Sequence, residues 1–483
     1  MSDLPFRSAV ELAADIRARR LGCRELLELY LQRIERYNPA LNAVIVTDIP
    51  GARARAEAAD AALSRGESWG PLHGVPMTVK ESFDVAGLPT TWGVPELKDS
   101  VATTNALAVE RFLAAGAILF GKTNVPLMLA DWQSYNAIYG TTNNPWDTTR
   151  TPGGSSGGAA AALAAGLTGL EAGSDIGASI RNPAHYCGVW GHKPTYNICS
   201  PKGHAPAGRV AISDISVIGP LARSSDDLAL ALQVMAGPDE IDGAGWRLEL
   251  PRPRHERLAD YKIALMLENP NCAVERAVQD ALQRLGDFLA QRGATVNDRA
   301  RPEIDTTRAH AGYIKLLRAA TSGRQSNAEF AANAAAAQAL GKHDDSYYAR
   351  MLRANTMSHR DWLGANEERH RMRLAWARFF REYDLFLCPV AATAAPPHDQ
   401  QGERWERMIT IDGKRVPTTD QLFWAGYTCA FYLPATAAPI GDSGGLPIGV
   451  QITASQYHDL TAIHFARLLE REYRGFVPPP GYG

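Results

Sequence analysis

The chain has 483 residues, of which 45% are apolar, and its 50 Lys and Arg against 52 Asp and Glu leave a formal charge of −2. That balance provides no global field to draw in nucleic acid or an anionic membrane, so neutral or weakly polar small molecules fit better as ligands. The length allows about three average domains or one large sheet-centred unit, and the N-terminus is too charged for a secretory leader.

No run approaches the roughly 20 apolar residues needed to span a bilayer. The six cysteines, Cys23, Cys187, Cys199, Cys272, Cys388 and Cys429, lack C-x-x-C spacing and read as reduced, mostly buried thiols. A cytoplasmic enzyme is therefore expected, although a secreted protein that had shed its leader would read the same.

In chain order, residues 8–19 and 24–37 carry apolar residues at helical spacing, and Pro39 is expected to end the second helix. Residues 43–46 read as a strand and 52–64 as an Ala-rich helix. Residues 70–80 form a turn and a short strand with Lys80 near its C-terminal end, where catalytic side chains commonly project in α/β folds. A helix at 109–115 and a strand at 117–120 lead to a turn containing Lys122. This alternation predicts an α/β fold, a single large domain over residues 1–483 with a central mixed twisted β-sheet surrounded by α-helices.

Residues 151–193 read as two glycine- and serine-rich turns joined by a helix over 159–170. Apolar, patterned flanks argue against a flexible linker, and a P-loop is excluded because no Lys followed by Ser or Thr closes the run. The G-x-G-x-x-G fingerprint is also absent. Ser224 or Ser225 is the expected N-cap of the next helix. Residues from about 237 to 379 read as several helices, an insertion or lid packed on the sheet. Strands are expected at 385–390 and 448–452, with a polar loop and a helix at 421–429 between them.

A serine hydroxyl needs a base to attack a carbonyl. His73, His185 and His192 lie near the patterned segments without forming a hydrolase elbow. A lysine stripped of solvent can replace imidazole, and Lys80 has the apolar strand context for it.

The stretches GPLHGVPMTVK (70–80), GAILFGKTNVP (116–126), PGGSSGG (152–158), GSDIGASIRNPA (173–184), IGPLARS (218–224) and GGLPIGVQI (444–452) resemble, in order, the amidase signature family of Ser-Ser-Lys amide hydrolases. That resemblance implies a catalytic lysine at Lys80, a bridging serine with a cis peptide at Ser155 and the nucleophile at Ser179. The oxyanion would lie among the backbone N–H groups of Ile176, Gly177, Ala178 and Ser179. Asp175 and Arg181 are expected to hold the nucleophile turn, while Ser156 is expected only to support the first turn.

Three departures from the family pattern stand out: Glu81 where Asp is frequent, Ala178 where Gly is, and Asn143 where Arg is. The Ala178 methyl could restrict the oxyanion donors or trim the pocket.

The implied activity is hydrolysis of amides, with esters and carbamates open to the same machinery, through an acyl-enzyme and without metal or cofactor. Trp92, Trp132, Tyr135 and Tyr139 favour a small, neutral or aromatic substrate. No nucleic-acid or membrane partner is expected, and a homodimer is the candidate assembly. The alternative is an amidotransferase-like subunit that works only in a complex with transfer-RNA machinery.

Overall fold

Alternating short apolar runs and amphipathic stretches build an α/β architecture in the computed structural model, which describes residues 3–483. The N-terminal part comprises α1 (Ala9–Arg17), α2 (Cys23–Leu41), β1 (Val44–Thr47), α3 (Ile49–Ser64), β2 (Pro76–Lys80), α4 (Leu107–Ala114) and β3 (Ile118–Thr123). Ser8 closes a capping box on Glu11 at the start of α1, which satisfies two otherwise orphaned amides. Pro39 does not end α2. The helix continues to Leu41 and stops at Asn42, whose φ of 50° is left-handed, the usual terminating conformation.

Strands β1, β3 and β2 form a three-stranded sheet with β3 central, antiparallel to β1 and parallel to β2. Lys122 therefore belongs to a central strand rather than the expected turn. Its ammonium is buried and donates to Thr90 Oγ1 (3.0 Å) and to the Pro89 carbonyl.

Next come the two-residue strands β4 (Tyr135–Asn136) and β5 (Gly140–Thr141), then α5 (Gly157–Ala164), β6 (Glu171–Asp175), α6 (Arg181–Cys187), β7 (Trp190–Lys193), β8 (Val217–Ala222) and α7 (Ser225–Met235). The expected connector helix over 159–170 is shorter than predicted. It gives way to β6, so the second turn begins only at Ile176. Ser224 is the N-cap of α7, accepting from the Asp227 amide.

The stretch 237–379 is not wholly helical. It contains β9 (Lys262–Leu265), α8 (Arg276–Gln291) and β10 (Thr295–Asn297) before the helices α9 (Thr306–Ser322), α10 (Asn327–Ala339), α11 (Tyr347–Asn355) and α12 (His359–Phe379). β9 and β10 are too short to show a period of two, but they extend the main sheet in parallel beyond β11 (Leu385–Pro389). The polar loop after β11 contains a hairpin, β12 (Met408–Ile411) and β13 (Lys414–Pro417). The chain closes with α13 (Leu422–Cys429), β14 (Ala435–Ser443), β15 (Leu446–Ala454) and α14 (Asp459–Glu472).

The large sheet has eight strands in the order β10-β9-β11-β15-β14-β7-β8-β6. It is mixed, since β11/β15, β14/β15, β14/β7, β7/β8 and β6/β8 pair antiparallel. Thr78 N donates to Leu170 O (3.3 Å) and Gly169 N to Pro76 O (3.1 Å), bringing β2 against the β6 edge. That junction puts the end of β2 beside both glycine-rich turns. Among the described residues no helix is long and apolar enough to cross a membrane, and the six cysteines are buried and free.

Candidate active site

Lys80 ends a strand whose five residues are all buried. Its Nζ lies 2.6 Å from Ser155 Oγ and 3.0 Å from Ser174 Oγ. Burial lowers its pKa to about 7, against the opposing pull of Asp175, Glu171 and Glu81. Glu171, also fully buried, is pushed up to about 8 by desolvation, and accepts a hydrogen bond from the Thr78 hydroxyl. The low dielectric thus disfavours the charged form of both groups.

Ser155 stands just before α5, after a cis Gly154–Ser155 peptide. The glycines around it let other segments come close: a Cβ on Gly154 would overlap the Asp131 carbonyl, and one on Gly158 the Asn124 amide. The Ser156 amide donates to the Ser179 carbonyl (3.1 Å), so Ser156 joins the two turns through its backbone.

Asp175, at the end of β6, shapes the turn that carries Ser179. Its carboxylate accepts from the amides of Ala178 (2.8 Å) and Ile180 (3.1 Å) and from Arg181 Nε (3.0 Å) and Nη2 (2.9 Å). Burial alone would raise its pKa, but Arg181 and these donors outweigh it and leave the carboxyl at about 2. Arg181 also donates to Thr428 Oγ1 (2.7 Å), the Ala425 carbonyl (3.2 Å) and Gln451.

Of the four amides expected to face an oxyanion, that of Ala178 is therefore already committed to Asp175, leaving those of Ile176, Gly177 and Ser179. Ala178 has φ of +70° and no exposed surface, so its methyl bears on the turn conformation rather than on the pocket. Two carbonyls of the turn are held from outside, Ile176 O by the Tyr313 hydroxyl (3.0 Å) and Gly177 O by Trp132 Nε1 (2.7 Å).

Ser155, Ser174 and Ser179 open into one cavity of about 460 Å³, walled in part by Trp92, Trp132 and Leu317. Its size suits a small organic ligand. Glu81 anchors the aromatic wall by accepting from the amides of Thr91 (2.5 Å) and Trp92 (2.9 Å). Tyr135 and Tyr139 do not line this cavity. Asn143 lies away from it as well, bonded to the Ala40 carbonyl (2.8 Å) and to His398 (3.1 Å).

The sequence reading missed Ser174, Glu171, His204 and Tyr313. Ser174 and Glu171 lay within or beside a recognised motif, with only the short β6 run leading to Asp175 to mark them. His204 lines the cavity, bonds Ser82 (2.9 Å) and is pushed down to about 3 by burial and by Lys80. No local pattern could have placed it or Tyr313.

Six sequence-distant stretches thus converge on one buried lysine and two serine turns, and the Amidase family profile matches residues 25–462. The chain belongs to the amidase signature family. Within the amidase signature family it is similar to an indoleacetamide hydrolase of Bradyrhizobium diazoefficiens, at 34% identity over 96% of this chain and 86% of that protein. It is also similar to a glutamyl-tRNA(Gln) amidotransferase subunit of Acidothermus cellulolyticus, at 30% identity over 98% of this chain and 96% of that one. A solved bacterial aryl acylamidase of the family shares the fold, with a TM-score of 0.81 at 24% identity over 96% of both chains. The family match together with hydrolase relatives, the indoleacetamide hydrolase and an acylamidase of Rhodococcus erythropolis, makes this chain an amidase.

Proposed function

We propose that the chain is a serine amidohydrolase that cleaves carboxylic amide C–N bonds through an acyl-enzyme on Ser179. The observation that carries this reading is the solvent-free Lys80 ammonium, lowered to about 7 and 2.6 Å from Ser155, which shares a cavity with Ser179.

In this scheme neutral Lys80 takes a proton from Ser155 as Ser155 takes one from Ser179, and the Ser179 oxygen bonds to the carbonyl carbon. The amides of Ile176, Gly177 and Ser179 stabilise the oxyanion, a device worth ~3 to 4 kcal/mol per donor in other hydrolases. The relay returns the proton to nitrogen, the C–N bond breaks and the amine leaves. Water, deprotonated along the same route, then releases the carboxylic acid and frees Ser179.

Aryl esters and carbamates present the same electrophilic carbonyl and fall within the proposed range. Helix α9, which contributes Leu317 and Arg318 to the cavity wall, acts as part of a lid over the substrate. Six free buried thiols fit a reducing, cytoplasmic setting.

A fluorophosphonate probe should label the native chain and not Ser179→Ala, and equal labelling would overturn the nucleophile assignment. The full-length similarity to an amidotransferase component supports a second reading, in which the chain acts only within a complex. Hydrolysis of simple amides by the isolated chain would exclude it.

A further inference from the structure

The cavity wall carries cations as well as serines. It includes Arg318, Arg324 and Arg404, and among the described residues none of the three is paired with a carboxylate. Arg318 donates to the Tyr347 hydroxyl while its Nε is buried without a partner. Arg324 donates to the Met128 carbonyl (2.8 Å) and stands over the Trp92 ring at 5.5 Å.

Neither acid at the cavity, Asp131 or Glu329, forms an ion pair with these cations. Asp131 is taken by Arg407 (2.7 Å), and Glu329 is turned back to cap its own helix by accepting from the Ser326 amide (2.7 Å). Burial, and then the charge of Arg209, push Arg324 down to about 10, and burial followed by Arg318 lowers Arg404. All three arginines are half-buried and face the cavity, where a partly desolvated cation gains from a carboxylate brought within reach. The rest of the wall includes the apolar side chains of Trp92, Leu127, Leu317 and Leu422.

We propose that Arg318, Arg324 and Arg404 offer a carboxylate subsite in the cavity wall, so that the preferred substrates are amides that carry a carboxylate. The proposal rests on the hydrolase reading above and narrows its substrate class. It also departs from the neutral substrate expected from overall charge, because net charge averages over a surface whereas recognition depends on the few groups inside the cavity. Planar guanidinium groups match carboxylate geometry and bind it by charge-assisted hydrogen bonds.

The test uses the full chain and two matched pairs. N-benzoylglycine against N-benzoylpropylamine places the charge on the amine side, and succinanilate against butyranilide places it on the acyl side. In at least one pair kcat/KM should favour the carboxylate by roughly 10-fold or more. That ratio should fall toward one in Arg404→Gln and in Arg324→Gln, and Arg404→Lys should retain part of it, with melting curves reporting the fold of each variant. Preference for the neutral member of both pairs, or an unchanged ratio in both Gln variants, would overturn the subsite.

Calorimetric binding of the same four probes to Ser179→Ala separates the two readings. Selective carboxylate binding without hydrolysis by the native chain would leave the subsite standing and remove the hydrolase. Hydrolysis without carboxylate preference would do the reverse.

Discussion

Asp175 and Arg181 form a two-pronged ion pair, at 2.9 and 3.0 Å, in which neither side chain has any exposed surface. Removing one partner leaves the other charge buried and unpaired, which typically costs ~3 to 5 kcal/mol. Asp175→Asn should therefore lower unfolding free energy by about that amount in denaturant titrations and reduce turnover, because the same carboxylate fixes the Ser179 turn. The pH dependence follows from the depressed pKa. Stabilisation by Asp175 is complete above about pH 4, its unfolded value, and is lost as pH falls through about 2.

A base held near neutrality should show itself in the rate. With Lys80 lowered to about 7, its neutral form predominates above that pH and declines below it, so kcat/KM should fall on an acidic limb with a midpoint close to 7. Asp175, Glu171 and Glu81 all favour the charged lysine. Asp175, held at about 2, is charged near that midpoint, so Asp175→Asn should move the midpoint to lower pH, whereas Glu171, at about 8, is largely protonated and Glu171→Gln should leave it nearly in place. A midpoint unmoved in Asp175→Asn would remove the electrostatic role of that carboxylate, and a Lys80→Ala variant with full activity would remove the base.

What could be read before folding was which contiguous motifs would meet. Lys80, Ser155, Ser179, Asp175 and Arg181 each lie in a short stretch whose glycines and small residues are dictated by the turn around them, and the structure brings all five together. The less legible parts depend on distant contacts. β14 is Ala-rich and contains Pro439 at a register shift, so neither propensity nor alternation marks it as a strand. β9 and β10 have only four and three residues. Tyr313, Arg324 and Arg404 acquire meaning only when α9, the segment after it and the hairpin region fold over the serine turns, information absent from any local window.

The left-handed Ala178 offers a test of backbone strain without loss of a contact. A Cβ at φ of +70° costs roughly 1 to 2 kcal/mol relative to a comfortable conformation. Glycine avoids that cost and returns part of the gain through a more flexible unfolded chain. Ala178→Gly should stabilise the protein by up to ~1 kcal/mol in urea titrations and leave the Asp175 bond to its amide intact. A clear loss of stability would mean that the methyl contributes packing that outweighs the backbone.

The close approach of α9 to α13 links the lid region to the nucleophile turn. A Cβ on Gly426 would overlap the Tyr313 ring, and the hydroxyl of that ring holds the Ile176 carbonyl at 3.0 Å. Two substitutions separate packing from hydrogen bonding. Tyr313→Phe keeps the ring and removes the donor, so stability should drop by only ~1 kcal/mol, while kcat should fall because Ile176 belongs to the proposed oxyanion turn. Gly426→Ala pushes the whole helix away, costing ~1 to 3 kcal/mol as overpacking does, and should change the relative rates on bulky and small amides as well. If Gly426→Ala altered stability alone, with substrate ratios and kcat unchanged, α9 would be a structural wall rather than a lid over the site.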